Sequence, residues 1–565
     1  MLRKQAISGR QFNNHLNARA EGRVSAETVD RGLVVWRNAL AVLWLGLVVL
    51  MLAVASPSLA QDAQLKQAIA TAAAKDRDIA AYYKATGYEA IWVGSGSKDR
   101  ARRRALVAAF AGAADHGLPS AKYDDAKLRK LIGAAEGATA RGKLEVELSR
   151  QFLSYARDIQ TGILTPSRVD EEIVRKVPYR NRLATLDAFA NSNPVGFMKS
   201  LPPKNPEYTR LMKAKLDMER QIAKGGWGPT VSGKSLKPGQ SGKGVVELRD
   251  RLVAMGYMRR SASATYDADL QKAVQQFQLG NGLPADGVAG AVTLKEINVP
   301  MERRLRNVIV AMERERWMNR PRGKRHIDVN LADFTAKIMD GSTVTFQTRS
   351  VVGKNVSDQR SPEFSDVMEF MVINPSWYVP RSIATKEYLP LLKENRNAVS
   401  QLEITDSSGR KINRGAVDFS QFDEQTFPFN MRQPPSKGNA LGLVKFMFPN
   451  RYNIYLHDTP AKSLFSRNVR AFSHGCIRLN DPFDFAYALL AKQESNPKAF
   501  FQSLLATGEE ATVNLKQPVP VHIMYRTAIA SPDGLLQFRR DVYGRDARIW
   551  RALAREGVAL RSVSG

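Results

Sequence analysis

The single cysteine of this 565-residue chain sits in the run Ser473-His474-Gly475-Cys476-Ile477-Arg478-Leu479, and His457 ends an apolar stretch sixteen residues before Ser473. A thiol attacks a carbonyl well only as its thiolate, so it needs a base or a cation nearby. His457 is of the type to take that proton and later return it to a departing amine. Gly475 lets the backbone turn sharply before the cysteine, which aims amide N–H groups at a developing oxyanion. Arg478 carries the planar fork that holds a carboxylate through paired hydrogen bonds. Two other readings use the same residues. A lone cysteine can be a small buried hydrophobe. His457, His474 and Cys476 are also zinc-ligand types, with Asp458 able to join only as a ligand of a catalytic-type site; a fourth cysteine and a helix-spaced histidine pair are lacking. Acyl transfer through Cys476 uses the most of these residues, and it calls for no metal and no cofactor.

The elements that must position them alternate with a period of two. His326–Asn330, Phe334–Asp340 and Thr343–Phe346, with Gly341 as a turn, read as strands, and Met371–Ile373 and Tyr452–His457 continue the pattern. A helix of mixed charge over 300–316 precedes them. Helices at 483–493 and 498–506 and strands at Val519–Thr527 and Leu536–Arg540 follow. Residues 300–545 are therefore expected to form a β-rich domain, with an insertion over about 377–438 that is richer in charge and serves as a lid. Tyr455 and Trp377 fit a substrate groove or core packing equally well. Residues 546–565 read as a C-terminal tail.

Upstream, 61–230 reads mostly helical, with apolar spacing at 63–84, 99–114, 124–134 and 139–161 before Pro166, Pro178, Pro194, Pro202, Pro203 and Pro206 punctuate the chain. Asp115, His116, Asp124 and Asp125 read as scattered surface polar residues. After a glycine-rich linker, 235–299 shows two apolar stripes, Val245, Leu248, Leu252, Met255 and then Leu270, Val274, Phe277, each closed by glycine. The expectation is a multidomain α+β protein.

Hydrophobic content of 44% and 25% charged residues exclude wholesale disorder. A net charge of +29 implies an anionic setting: nucleic acid, a membrane face or an envelope polymer. The basic residues are scattered and no nucleic-acid-binding spacing occurs, so nucleic acid is not an expected partner. Arg19, Arg23, Arg31 and Arg37 precede the apolar run Ala39–Ala55, and Ser58-Leu59-Ala60 offers a cleavage site before Gln61. Residues 1–60 are thus expected to be a signal peptide, or an uncleaved anchor through 39–55, with everything after 60 exported to the periplasm. A lone thiol is unusual in an oxidising compartment, which sets Cys476 apart.

These residues also carry a resemblance. His457 followed by Ser473-His474-Gly475-Cys476 resembles the L,D-transpeptidase signature, and Asn439-Ala440-Leu441-Gly442, Phe448-Pro449-Asn450 and Arg470-Ala471-Phe472 are similar to its large Gram-negative subgroup. Tyr88-Glu89-Ala90-Ile91-Trp92 and His116-Gly117-Leu118-Pro119 resemble that subgroup's scaffold region, and 235–299 resembles a peptidoglycan-binding domain. The resemblance implies Cys476 as nucleophile, His457 as proton donor and acceptor, and backbone at Gly475 and Cys476 as an oxyanion hole supported by His474. Arg478, Tyr455, Trp377 and Ser473 are then expected along the substrate. It implies peptidoglycan tetrapeptide stems as substrate and other cell-wall synthesis proteins as partners, with the inner membrane added if the leader stays uncleaved. The outcome would be a cross-link between diaminopimelate residues, or with other acceptors an L,D-carboxypeptidase or protein-attachment reaction; a non-catalytic wall-binding scaffold is the reading from a different class. Two positions depart from the common pattern: Asp458 stands where many members have glycine, and Arg478 where many have asparagine.

Overall fold

The computed structural model describes residues 57–561, so the apolar run at 39–55 lies outside the described residues. Among those described, no helix is long and apolar enough to cross a membrane. Lys66–Gly565 forms one compact unit that contains the whole candidate site.

The N-terminal part is helical, as its composition implies. The periodic stretch at 63–84 is two helices, ending at Ala73 and restarting at Arg77. Asp76 makes the break, because its carboxylate caps the N–H groups of Asp78 and Ile79. The prolines that punctuate 166–206 also have a constructive role. Pro194 and Pro206 each open a helix behind a capping asparagine, Asn193 and Asn205.

Helix Met301–Trp317 joins this part to the strands. Its mixed charge suggests a solvated face, yet Glu313, Arg314, Glu315 and Arg316 are all buried. Each charge is met: Glu313 by Arg316 (2.9 Å) and the Leu164 N–H (2.9 Å), Arg314 by Glu363 (2.6 Å) and Asp546 (3.2 Å), Glu315 by Arg322 (2.7 Å) and Arg526 (2.9 Å). Burying so many charges is tolerable only with such pairing. The helical unit at 235–299 keeps a core of its own from both stripes read in the sequence.

The C-terminal strands are β1 (Arg325–Asn330), β2 (Thr335–Asp340), β3 (Thr343–Gly353), β4 (Ser365–Ile373), β5 (Trp377–Tyr378), β6 (Glu403–Thr405), β7 (Asn430–Gln433), β8 (Val444–Met447), β9 (Leu456–His457), β10 (Ala471–Ser473), β11 (Ile477–Leu479) and β12 (Ala511–Met524). One sheet runs β10-β3-β11-β9-β8-β4-β12-β1-β2, and β2 also pairs with β3, so the sheet closes into a barrel. The insertion forms a separate sheet, β5-β7-β6, over its own apolar core.

Two expectations at the C-terminal end differ from the structure. Helix Arg545–Arg555 runs into the stretch read as a tail (546–565) and buries Asp546, Ile549 and Leu553 there. The strand expected over Tyr452–His457 shrinks to Leu456–His457. Before it, Asn450 closes a turn by donating to the Phe448 (2.6 Å) and Ile454 (2.7 Å) carbonyls, and Asn453 adopts a left-handed φ of 52°.

Candidate functional site

Strand register assembles the site. Arg478 on β11 is the partner of His457 on the parallel strand β9, and Lys445 on β8 is the partner of His457 from the other side. Between them, Ile477, Leu456 and Phe446 are fully buried in the barrel core. Side chains alternate across a strand, so Lys445, His457 and Arg478 share the opposite face, with Tyr455 and Cys476 two residues earlier on their strands. Tyr455 also packs against the core of the insertion, which places that face next to the insertion. Its ring lies 5.6 Å from that of His457.

At rest the thiol donates to the Asn453 carbonyl (3.4 Å), and no hydrogen bond among the described residues joins it to His457. Tyr455 also acts on the thiol, favouring its charged form. Burial pushes the Cys476 thiol up to about 11, against the opposing effects of Tyr455 and the Arg478 cation. Burial, helped by Arg478, depresses the imidazole of His457 to about 3. The resting pair is therefore a neutral thiol beside a neutral imidazole. The backbone carbonyls of Asp458 and Leu441 act on the ring, and its Nδ1 is buried with no partner. Alkylation of Cys476 by iodoacetamide should accordingly be slow at pH 7 and rise about tenfold per pH unit toward pH 10. A plateau already below pH 8, measured by stopped-time mass spectrometry, would show an ion pair instead.

Arg478 makes no ion pair among the described residues, and its Nε is buried without a partner. Its charge acts on both Cys476 and His457. A half-buried cation kept unpaired beside a nucleophile and a base is suited to an incoming carboxylate.

The turn before the cysteine differs in detail from expectation. Gly475 has φ 110°, a conformation that favours glycine. Its N–H is already donated to the Ser473 hydroxyl (3.2 Å), which itself donates to the Cys476 carbonyl (2.5 Å). Ser473, expected to touch substrate, is instead buried and closes this turn. The Cys476 N–H enters no hydrogen bond among the described residues, so it is left for an oxyanion. His474 turns to the insertion, where its Nε2 meets the carboxylate of Glu387. Trp377 is buried in the core of the insertion beside Tyr388, the same core that Tyr455 packs against, so it acts on the site through that residue.

Other residues were missed in the sequence. Ser361 donates to the Gly475 carbonyl (2.6 Å) and accepts the Gly353 N–H (3.0 Å), which straps the cysteine turn to β3. No local pattern marks it, since 114 residues separate the partners. The turn residues Pro449-Asn450 did hint at the bend that presents the Asn453 carbonyl. The side chain of Asp458 accepts from the Leu443 N–H (2.9 Å) and Lys462 (2.8 Å), so it braces the segment beneath His457. Among the described residues no three His, Cys, Asp or Glu side chains are grouped to hold a metal ion.

Three segments of the chain match known families. Residues 324–521 match the L,D-transpeptidase catalytic domain, 241–297 a "putative peptidoglycan binding domain", and 77–214 a scaffold domain. The chain is 28% identical over 259 residues to a "Putative L,D-transpeptidase" of Haemophilus influenzae, an alignment covering 46% of this chain and half of that protein. Two crystal structures of L,D-transpeptidases, from Xylanimonas cellulosilytica and Stackebrandtia nassauensis, are 16% and 13% identical and each cover 52% of this chain, with 98% and 96% of their own length. Their TM-scores of 0.16 and 0.21 are too low to support any structural argument.

Proposed function

We propose, from the premise that residues 324–521 belong to the L,D-transpeptidase catalytic domain family, that Cys476 transfers peptide acyl groups between the stems of peptidoglycan. The observation that carries the proposal is the unpaired Arg478 cation acting on both Cys476 and His457. His457 takes the thiol proton as the sulfur attacks the carbonyl at the L-centre of diaminopimelate. The oxyanion is stabilised by the Cys476 N–H. Collapse breaks the amide bond, and His457 returns the proton to the departing D-alanine. The side-chain amine of a second stem then attacks the thioester, passes a proton to His457 and releases the thiol with a new cross-link. Water, a free D-amino acid or a protein lysine would take the same acyl group by the same steps.

Arg478 contributes in two ways under this proposal. It holds a carboxylate of the donor stem. That pairing also offsets the positive charge that depresses His457, so the imidazole becomes a better base when substrate arrives. Arg478→Met should cut kcat/KM for a tetrapeptide donor by about 100-fold, chiefly through KM. It should also raise the His457 pKa, read by NMR of the imidazole. An unchanged KM would remove Arg478 from substrate recognition. Reaction itself is tested by mass spectrometry of muropeptides after incubation with purified tetrapeptide stems, which separates cross-linked, trimmed and exchanged products. Export of residues beyond 60, and retention near the wall by 241–297, belong to the same proposal.

A further inference from the structure

A cavity lies away from the cysteine, within the N-terminal helices. It has a volume of about 800 Å³, within the range of small-ligand pockets. Ala105 and Ala108 of helix Ser97–Ala111 form one wall, with Met198, Pro203 and the ring of Tyr155 opposite. The small side chains of the alanine wall leave the space open. At the deep end His116 Nδ1 and the Tyr208 hydroxyl are hydrogen-bonded to each other (3.0 Å), and that hydroxyl also accepts from Arg316 (3.2 Å). These polar atoms are already partnered, so the interior offers an entering molecule chiefly carbon contact. Burial and the Arg316 cation hold His116 down at about 4, which keeps the interior uncharged at neutral pH.

The opening has the reverse character. Its lining includes the exposed cations Arg104, Lys199 and Lys204 and no carboxylate. None of the three makes an ion pair among the described residues, although nearby Asp99, Asp115 and Glu207 pair with Arg102, Arg561 and Arg210. An apolar chamber whose exposed lining carries three unpaired cations is complementary to one kind of molecule: an apolar chain with an anionic head.

We propose that this cavity binds a single-chain anionic lipid, with its acyl chain inside and its carboxylate or phosphate held by Arg104, Lys199 and Lys204. The site is independent of the chemistry at Cys476. Its test is equilibrium binding of radiolabelled palmitate to the full chain, with lysophosphatidylglycerol and uncharged dodecyl maltoside as competitors. Ala108→Trp fills the chamber from an exposed helix position, and Val195→Asp places a repelling charge on the wall. The triple variant Arg104→Glu, Lys199→Glu, Lys204→Glu reverses the opening. The wild type should bind one equivalent that Ala108→Trp and Val195→Asp each lose, with palmitate displaced by lysophosphatidylglycerol at least about tenfold better than by dodecyl maltoside. Charge reversal should weaken binding about tenfold at low salt and less at high salt. Acylation of Cys476 should persist in every variant, which reports that each is folded. The proposal is overturned if wild type and both cavity variants bind the same number of equivalents. It is equally overturned if dodecyl maltoside competes as well as the anionic lipid, or if charge reversal alone abolishes binding while both cavity variants retain it.

Discussion

Cys476→Ala should gain no mass on incubation with a tetrapeptide stem, while the wild-type chain gains the donor stem less its terminal D-alanine as a thioester. Turnover should fall by at least about 10⁴-fold, because a nucleophile has no substitute in a two-step acyl transfer. His457→Gln should fall nearly as far. With its pKa pushed up to about 11, the thiol is almost wholly protonated at neutral pH and depends on a base at the moment of attack. The two losses should not add in the double variant, since they remove parts of one unit. Exposure to a carbapenem followed by intact mass gives the same comparison with an acylating agent. A Cys476→Ala protein that still forms cross-links would refute the mechanism, and a His457→Gln protein of near wild-type rate would place the base elsewhere.

Arg545→Met should destabilise the chain by about 3–5 kcal/mol and also slow acylation. Arg545 is wholly buried and reaches Glu172 (2.8 Å), Glu363 (3.3 Å) and Asp170 (3.7 Å), and it donates to the Ser361 carbonyl (3.0 Å). Glu363 and Asp170 keep other partners in Arg314 and Arg548. Among the described residues Glu172 is left with Arg360, at 3.9 Å. A half-paired, partly buried carboxylate is the main cost. The loss also reaches the site, because Ser361 holds the Gly475 carbonyl one residue before the nucleophile. Chemical denaturation and single-turnover acylation would be measured together. Ser361→Ala separates the two effects: it should slow acylation about tenfold with KM unchanged and cost about 2 kcal/mol, for the two buried hydrogen bonds its hydroxyl makes. Wild-type denaturation of Arg545→Met would mean the network contributes nothing net.

The buried network also explains why part of the fold could not be read along the chain. Asp170 and Glu172 precede the barrel by about 150 residues, and the charged run Glu313–Arg316 looks like a surface helix until its partners are known. Charge patterning reports solvent exposure only when no distant segment brings the opposite charge. The start of the apparent tail differs for the same reason, since Asp546 is charged in sequence and interior in the fold. The stripes of 235–299, by contrast, packed together locally and were legible from spacing alone.

The sequence by itself determined the chemistry available at the cysteine: one thiol, a glycine before it, an arginine two residues on, and a histidine at the end of an apolar stretch. These are properties of residue type and short spacing, which survive in any fold that places the strands side by side. Tertiary structure alone decided the rest. Parallel pairing of β11 with β9 set Arg478 opposite His457, and closure of the barrel chose which face they share. Burial made the thiol and imidazole neutral, and packing assigned Ser473 to the turn and His474 to the insertion. Each of these depends on a partner remote in the chain, and only the folded backbone brings such partners within hydrogen-bonding range.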